Sequence, residues 1–303
     1  MKHCLAITAL MLTVAVFAGA QVRGITVSSE PAATVWIDGV RYGRTGKDGR
    51  LEIRTIAAGA HTMRLRADGF KEKTQTLTAT ARGEINAPLT RTTDEADLAY
   101  QEAERLLSAD RDKAIEAYQR AIKARPAFPE AYVARARAQT DAGDLDEALR
   151  AIVAARRLRP GYAEASAVEG RIYKENGEDA KAIASFKRAI TEGKGFQPEA
   201  YAGLGLLYKE KAEGFGGAGD FANEDLNYVE SAKYLKLSLK QLSGAPDTVV
   251  IYQLVGLIYE RQKRFDDAIA IYEEFLRYFP DTPEATAVRS FIVQLNKEKQ
   301  AQP

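Results

Sequence analysis

The chain has 303 residues, of which 46% are hydrophobic and 28% charged, a composition typical of a globular protein. Its 43 basic and 42 acidic residues nearly cancel, so we expect no binding of nucleic acid through bulk charge, although a neutral total leaves room for local patches. With one cysteine and two histidines, the chain also lacks the residues for a disulfide framework or a common zinc site.

The first predicted element is a secretory leader over residues 1–20. Lys2 supplies a positive start, Leu5 to Phe17 are mostly apolar, and Ala18-Gly19-Ala20 has the spacing of a cleavage site. We expect cleavage after Ala20 and export to the periplasm or the cell surface. Cys4 would leave with the leader, so the mature chain would have no thiol. The alternative is an uncleaved anchor, although the run is short for a membrane span, and no later segment of the sequence is apolar for long enough.

Period-two alternation of apolar residues follows over residues 22–89. Ile25 and Val27 alternate with polar neighbours, and Asp38-Gly39 and Asp68-Gly69 are turn signals. This pattern predicts five to seven short strands in a small antiparallel sandwich. Trp36 lies in the most apolar strand and is predicted to be in the core. His61 would be the sole histidine of the mature chain and is predicted to lie at the surface or an edge.

The same region resembles a PEGA domain. The resemblance is carried by Val27-Ser28-Ser29-Glu30-Pro31, the run from Ala33 to Gly39, Gly43-Arg44-Thr45, residues 57–61 and Asp68-Gly69-Phe70. Of the four residues that name the family, at 57–60, only Gly59 and Ala60 match. The resemblance implies a transthyretin-like β-sandwich, common in exported and surface proteins, with no established chemistry.

Residues 90–93 form a short polar linker, after which the apolar spacing becomes helical. Thr92 and Glu95 have capping-box spacing, which predicts a helix start near Thr93 or Asp94. Beyond this point, Ala114, Ala148 and Ala182 open similar segments at intervals of 34 residues.

A helix-pair repeat of this period resembles the tetratricopeptide repeat (TPR). The clearest copy has Tyr252, Val255-Gly256, Tyr259, Ala268, Tyr272 and Pro280. The resemblance implies about five helix pairs over residues 94–282, stacked into a superhelix whose first helices line a concave face and bind partners. We therefore expect a multidomain fold, an all-β sandwich followed by an all-α TPR superhelix.

The fourth pair contains a Gly-rich insert over residues 211–225. It has neither the pattern of a phosphate-binding loop nor that of a calcium loop. Two interpretations stay open: a flexible contact loop that presents Phe215 and Phe221, or a tolerated insertion. Residues 283–300 are predicted to form an amphipathic capping helix.

The sequence contains no recognisable catalytic constellation. Nucleophile–base pairs usually need histidine or cysteine, so we expect no enzyme, no cofactor and no metal. A pair of carboxylates for glycoside hydrolysis stays open in principle.

We therefore expect a non-enzymatic scaffold of the bacterial periplasm or cell surface. Arg137, Arg171, Lys174 and Lys209 would form a basic stripe on the concave face and bind an acidic protein or peptide. The alternative is a solvated face of mixed charge with no binding role, because acidic residues lie beside these basic ones. A second hypothesis is a structural envelope protein whose PEGA-like domain contacts peptidoglycan or polysaccharide.

Overall fold

The computed structural model describes residues 23–56, 59–242 and 244–301, and the predicted leader lies outside them. Within these ranges, seven β-strands are followed by eleven α-helices. This confirms the predicted fold class, an all-β sandwich followed by an all-α array. No helix in the described ranges has the length and apolarity needed to cross a membrane.

The β-domain consists of two sheets packed face to face. Its strands are β1 (Arg23–Ser28), β2 (Thr34–Ile37), β3 (Val40–Arg44), β4 (Arg50–Ile56), β5 (His61–Arg66), β6 (Lys73–Leu77) and β7 (Gly83–Asn86). One sheet has the order β4-β1-β7 and the other β3-β2-β5-β6. The prediction of a purely antiparallel sandwich is wrong for one pair. After β6 in the second sheet the chain crosses back, so that β7 lies parallel to β1.

Alternate residues of the strands fill the β-domain core. Val35 and Ile37 are buried there, so Trp36 between them projects from the opposite face of the sheet. On that face the Arg64 guanidinium lies 4.5 Å from the centre of the Trp36 ring. The prediction of a core tryptophan is therefore wrong, because the period of two places it outside.

His61 also departs from its predicted position. It begins β5, an inner strand of its sheet, and its side chain is only 10% exposed. The His61 Nδ1 atom lies 2.6 Å from Asp38 Oδ2. The residue therefore belongs to a packed turn region and not to an exposed edge.

The helices form five antiparallel pairs and a final single helix. They are α1 (Glu95–Leu106), α2 (Arg111–Ala124), α3 (Pro129–Ala142), α4 (Leu145–Leu158), α5 (Ala163–Glu175), α6 (Asp179–Glu192), α7 (Pro198–Gly217), α8 (Phe221–Leu242), α9 (Val249–Arg261), α10 (Phe265–Tyr278) and α11 (Pro283–Ala301). We call the odd-numbered helices A helices and the even-numbered ones B helices. Helix α1 starts after Asp94, whose side chain accepts hydrogen bonds from the backbone N–H groups of Ala96 and Asp97.

Small residues let the two helices of a pair approach closely. A Cβ atom added at Gly170 would lie 2.6 Å from the ring of Phe186, and one added at Gly256 would lie 2.3 Å from the ring of Tyr272. Ala148, a small residue of the B helix α4, is also fully buried. Stacking of the pairs then buries the apolar faces that each pair would expose alone.

The Gly-rich insert does not form a loop. It lengthens α7 to 20 residues and α8 to 22, and the two helices are joined by a turn at residues 218–220. Glu224 of α8 is buried and accepts hydrogen bonds from Arg261 of α9, at 3.0 and 2.8 Å. Its carboxylate also packs so closely on Gly216 that an added Cβ there would lie 2.7 Å away. The flexible-loop interpretation is therefore wrong, because these contacts hold both helices together to the tip.

Candidate interaction surface

The A helices α3, α5 and α7 pack against one another, and the tetratricopeptide resemblance implies that A helices line the concave face of the array. Arg137 of α3 and Arg171 of α5 each follow directly after the small residue of their helix pair, Ala136 and Gly170. They therefore occupy equivalent places on neighbouring repeats. The structure brings all four predicted bases of this surface into contact with acids, in a series of ion pairs that we call the ladder.

Arg137 is the central member of the ladder. Its guanidinium contacts Glu164 of α5 at 3.2 Å and Glu199 of α7 at 2.6 Å. Burial lowers the pKa of Arg137, but the charges of Glu199 and Glu164 more than offset this and raise it. Burial raises the pKa of Glu164, but the charges of Arg137 and Arg64 and a hydrogen bond from the Tyr162 hydroxyl leave it lowered.

The other three bases are paired as well. Arg171 contacts Asp141 of α3. Lys174 lies 2.7 Å from Glu210 of α7, and Lys209 lies 2.6 Å from Glu213 on its own helix. The arrangement fits the mixed-charge interpretation of this face better than a free basic stripe. Its effect is to tie α3, α5 and α7 to one another.

The two predicted aromatic contacts lie apart from the ladder. Phe215 lies about 9 Å beyond Lys209 along α7, at 1.5 Å per residue, and is partly buried. Phe221 begins α8 and is 66% exposed. The structure thus places both at the tip of the lengthened pair and does not join them to the basic residues.

The A helix α9 carries exposed apolar side chains. Leu257 follows Gly256 and so takes on α9 the place that Arg171 takes on α5. Leu257 is 57% exposed, and Val250 on the same helix is 61% exposed. These two side chains offer an apolar contact for a partner.

The β-domain is docked on the helical array. Gln101 of α1 is buried, and its side-chain amide makes two hydrogen bonds to the turn after β5. Its Oε1 accepts from the Gly69 N–H at 2.7 Å, and its Nε2 donates to the Phe70 carbonyl at 2.8 Å. Both functional ends of one amide are therefore used to hold the two domains together.

Arg66 of β5 strengthens the same contact. Its guanidinium lies 4.5 Å from the centre of the Tyr100 ring of α1 and 3.5 Å from a carboxylate oxygen of Glu104. Its side chain is only 12% exposed. A desolvated cation over an aromatic face and beside a carboxylate is among the stronger polar contacts at a protein surface.

The β-domain also reaches the other end of the array. The Tyr42 hydroxyl lies 3.5 Å from the Leu242 carbonyl at the end of α8, and burial raises the pKa of Tyr42 to about 12, with smaller contributions from Asp38 and Tyr278. Arg41 pairs with Asp247 at 3.2 Å. This docking could not be predicted from the sequence, because Gln101 and Arg66 belong to no motif and only the folded chain brings them together.

The described residues contain no cluster of histidine, aspartate and glutamate side chains arranged to hold a metal ion. Their pKa shifts fall on arginines, lysines, tyrosines and carboxylates, and each is caused by burial, a hydrogen bond or a neighbouring charge. The contacts described on this surface are ion pairs and exposed apolar side chains.

Comparison with known families identifies both parts of the chain. The PEGA domain model matches residues 23–93. Tetratricopeptide repeat models match residues 100–152, 133–200 and 252–282. Both predicted resemblances are confirmed. The unmatched stretch at 201–251 contains most of the lengthened α7–α8 pair.

Several solved structures resemble the array. A crystal structure of MamA has 21% identity and a TM-score of 0.43, over 64% of this chain and 96% of that one. A thermophilic TPR protein of Thermus thermophilus has 20% identity and a TM-score of 0.46, over 66% and 98%. The pilF protein of Pseudomonas aeruginosa has 15% identity and a TM-score of 0.44, over 65% and 82%. No curated protein matches the chain.

Proposed function

Because the chain carries a PEGA domain followed by tetratricopeptide repeats, we propose that it is a non-enzymatic protein-interaction scaffold of the bacterial periplasm or cell surface. Tetratricopeptide arrays generally serve as scaffolds, and PEGA domains are typical of extracellular and periplasmic proteins. The finer parts of the proposal concern where the partner binds and where the protein works.

The proposed binding site is the concave face, at its C-terminal end. The observation that carries it is the exposure of Leu257 and Val250 on the A helix α9. Exposed apolar side chains grouped on a preformed concave surface are suited to anchor a partner segment. The charges of the ladder would then form the polar rim around the anchor.

A crosslinking pull-down from the native cell envelope tests this site. The wild-type protein is compared with the double variant Leu257→Glu/Val250→Glu and with the control Val153→Glu/Leu158→Glu. The control also places two carboxylates at exposed apolar positions, but on the B helix α4. We expect the same protein to be captured by wild type and control and to be lost with the α9 variant. Capture that is unchanged in the α9 variant would remove the concave face as the binding site.

Export is proposed from the leader pattern, with cleavage after Ala20. The intact mass of the protein recovered from the cell envelope should correspond to a chain that begins at Gln21. A mass that retains residues 1–20 would contradict this part of the proposal.

The structural-envelope alternative makes a different prediction, namely that the protein binds isolated cell wall. Trp36 is half-buried on the outer face of its sheet, and its ring is the candidate platform on which a sugar would stack. Arg64 and Arg66 already lie 4.5 and 5.3 Å from the centre of this ring, which favours the protein-scaffold proposal. A pull-down against isolated cell wall separates the two, since the scaffold proposal predicts no retention.

A further inference from the structure

A long groove lies between the B helices α8 and α10. Its volume is about 800 Å³, and Tyr259 of α9 lies between the two helices that form its walls. The groove is floored by apolar side chains, among them Val229 and Leu239 of α8 and Ile271 of α10. Val229 is 41% exposed, so part of this floor is open to solvent. We call this feature the α8–α10 groove.

The rim of the α8–α10 groove is basic. Lys233, Lys236 and Lys240 are three, four and seven residues apart and therefore lie along one side of α8. Arg264 faces them from the start of α10. The lining contains one acid, Glu274, and it already accepts a hydrogen bond from the Tyr252 hydroxyl at 3.0 Å.

Of these four cations, Lys236 and Lys240 are available to a ligand. Lys233 pairs with Glu230, and Arg264 pairs with Asp267. Among the residues that the structure describes, no carboxylate lies within ion-pair distance of Lys236 or Lys240. The Lys236 ammonium lies only 5.8 Å from the centre of the Tyr259 ring, so it stands directly above the groove.

We propose that the α8–α10 groove binds an acidic amphipathic helix of a protein partner, and this inference rests on the proposed scaffold function. The apolar side of the helix would lie on the groove floor, and its carboxylates would face the lysine row. The wall from Val229 to Lys240 is about 16 Å long at 1.5 Å per residue, which accommodates about three turns of helix. Apolar anchors at one-turn intervals are the usual means by which a groove holds a helix.

The distribution of charge is what favours a helix. A lipid has its charge in one headgroup and would need the cations to be gathered at one end of the groove. Here the lysines are spaced at intervals of about one turn from Lys233 to Lys240. This spacing matches the carboxylates at successive turns of a bound helix.

The test uses the full mature protein and a library of 18-residue amphipathic helices. The apolar positions of the library are fixed, and its flanking positions are drawn equally from Asp, Glu, Lys, Arg, Gln and Ser. We expect the pool that binds the wild-type protein to be enriched several-fold in Asp and Glu at the flanking positions. Enrichment of basic or neutral flanks, or no enrichment, overturns the proposal.

A matched pair of variants locates the binding. Lys233→Glu/Lys236→Glu should weaken the selected peptides at least tenfold, measured by fluorescence anisotropy at 0.1 M salt. The control Arg157→Glu/Lys187→Glu makes the same charge change at exposed positions of the B helices α4 and α6 and should change affinity less than twofold. Equal effects of the two pairs overturn the proposal.

A third measurement tests whether the protein binds vesicles that contain phosphatidylglycerol. Vesicle binding that the lysine variant abolishes, with no acidic peptide selected, would assign the groove to a lipid and overturn the proposal. The failure of this proposal is separable from failure of the scaffold function. A partner lost with the α9 variant would support the concave face even if the groove selected no helix.

Discussion

The glycines at the helix-pair contacts show that the absence of a single methyl group lets the two helices of a repeat pack closely. The Tyr272 ring lies where a Cβ of residue 256 would be, and its hydroxyl is fixed by a hydrogen bond to Glu260 at 2.6 Å. The ring therefore cannot move away without losing that bond. Gly214 offers the opposite case, because it lies in helix α7 with no atom within 4 Å of an added Cβ.

These two glycines give a matched prediction. Gly256→Ala should destabilise the protein by about 1–3 kcal/mol, since overpacking a tight contact costs this much. Gly214→Ala should stabilise it by about 0.4–1 kcal/mol, because alanine restricts the unfolded chain and suits a helix. Urea denaturation followed by circular dichroism measures both. A stabilising effect of Gly256→Ala would show that helix propensity outweighs the Tyr272 contact, and a destabilising effect of Gly214→Ala would contradict the open space described there.

Ala148 offers a second test at this scale. It is fully buried between helices, so Ala148→Leu should destabilise the array by about 1–3 kcal/mol through overpacking. Ala142, at the exposed end of α3, provides the control, and Ala142→Leu should change the melting temperature little. Equal and negligible shifts in the two thermal melts would mean that the helix contacts at Ala148 are looser than described.

At the scale of the element, the ladder joins helices that are not adjacent in sequence. Arg137 links α3 to both α5 and α7 through Glu164 and Glu199. The pKa of Glu164 is lowered in the folded chain. The stability that this pair contributes is therefore present above the carboxyl's ordinary pKa and is lost as the pH falls through the lowered folded value.

Removing the arginine should change this pH dependence. Arg137→Gln removes the largest cause that lowers the pKa of Glu164, while the hydrogen bond from the Tyr162 hydroxyl and the charge of Arg64 remain. The pKa should therefore rise, and the free energy of unfolding should fall less steeply between about pH 5 and pH 3 than in the wild type. Urea denaturation at several pH values measures the slope. Arg157→Gln is the control, since Arg157 is exposed on α4, and it should run parallel to the wild type. If the pH dependence of the free energy of unfolding in Arg137→Gln also ran parallel to that of the wild type, the ion pair between Arg137 and Glu164 would not contribute to it.

The elements differ in how far they could be predicted. The helix pairs follow from the spacing of residues such as Ala114, Ala148 and Ala182, because one packing contact recurs with each repeat. The lengthened α7–α8 pair does not follow, since a Gly-rich stretch normally favours a loop. Its helices persist because Glu224 packs on Gly216 and binds Arg261, contacts between residues that are distant in sequence. The apolar neighbours of Trp36 predict a core position, but the period of two along the strand places its ring on the outer face.

At the scale of the whole molecule, the β-domain and the array form one connected unit. Gln101 and Arg66 hold the β-domain to α1, while Tyr42 and Arg41 contact the array near the end of α8. Family patterns describe each domain separately, so this contact could not be predicted from them. It depends on side chains that have no periodic signature.

The docking can be tested in solution. Gln101→Ala/Arg66→Ala removes both amide hydrogen bonds and the cation over Tyr100, so the β-domain should detach. The radius of gyration measured by small-angle X-ray scattering should then increase. The control is Arg54→Ala, which removes only the exposed pair with Asp281 and should leave the radius unchanged. An unchanged radius in the double variant would show that the remaining contacts are sufficient.

Attachment of the β-domain at two distant places gives the molecule a mechanical property. A repeat array in which each unit touches only its neighbours can be extended or twisted gradually, like a spring. Here the β-domain connects α1 with the residues around Leu242 and Asp247, and so acts as a brace across the spring. Under tension the protein should remain stiff until this brace separates, and the array should then lengthen in one step.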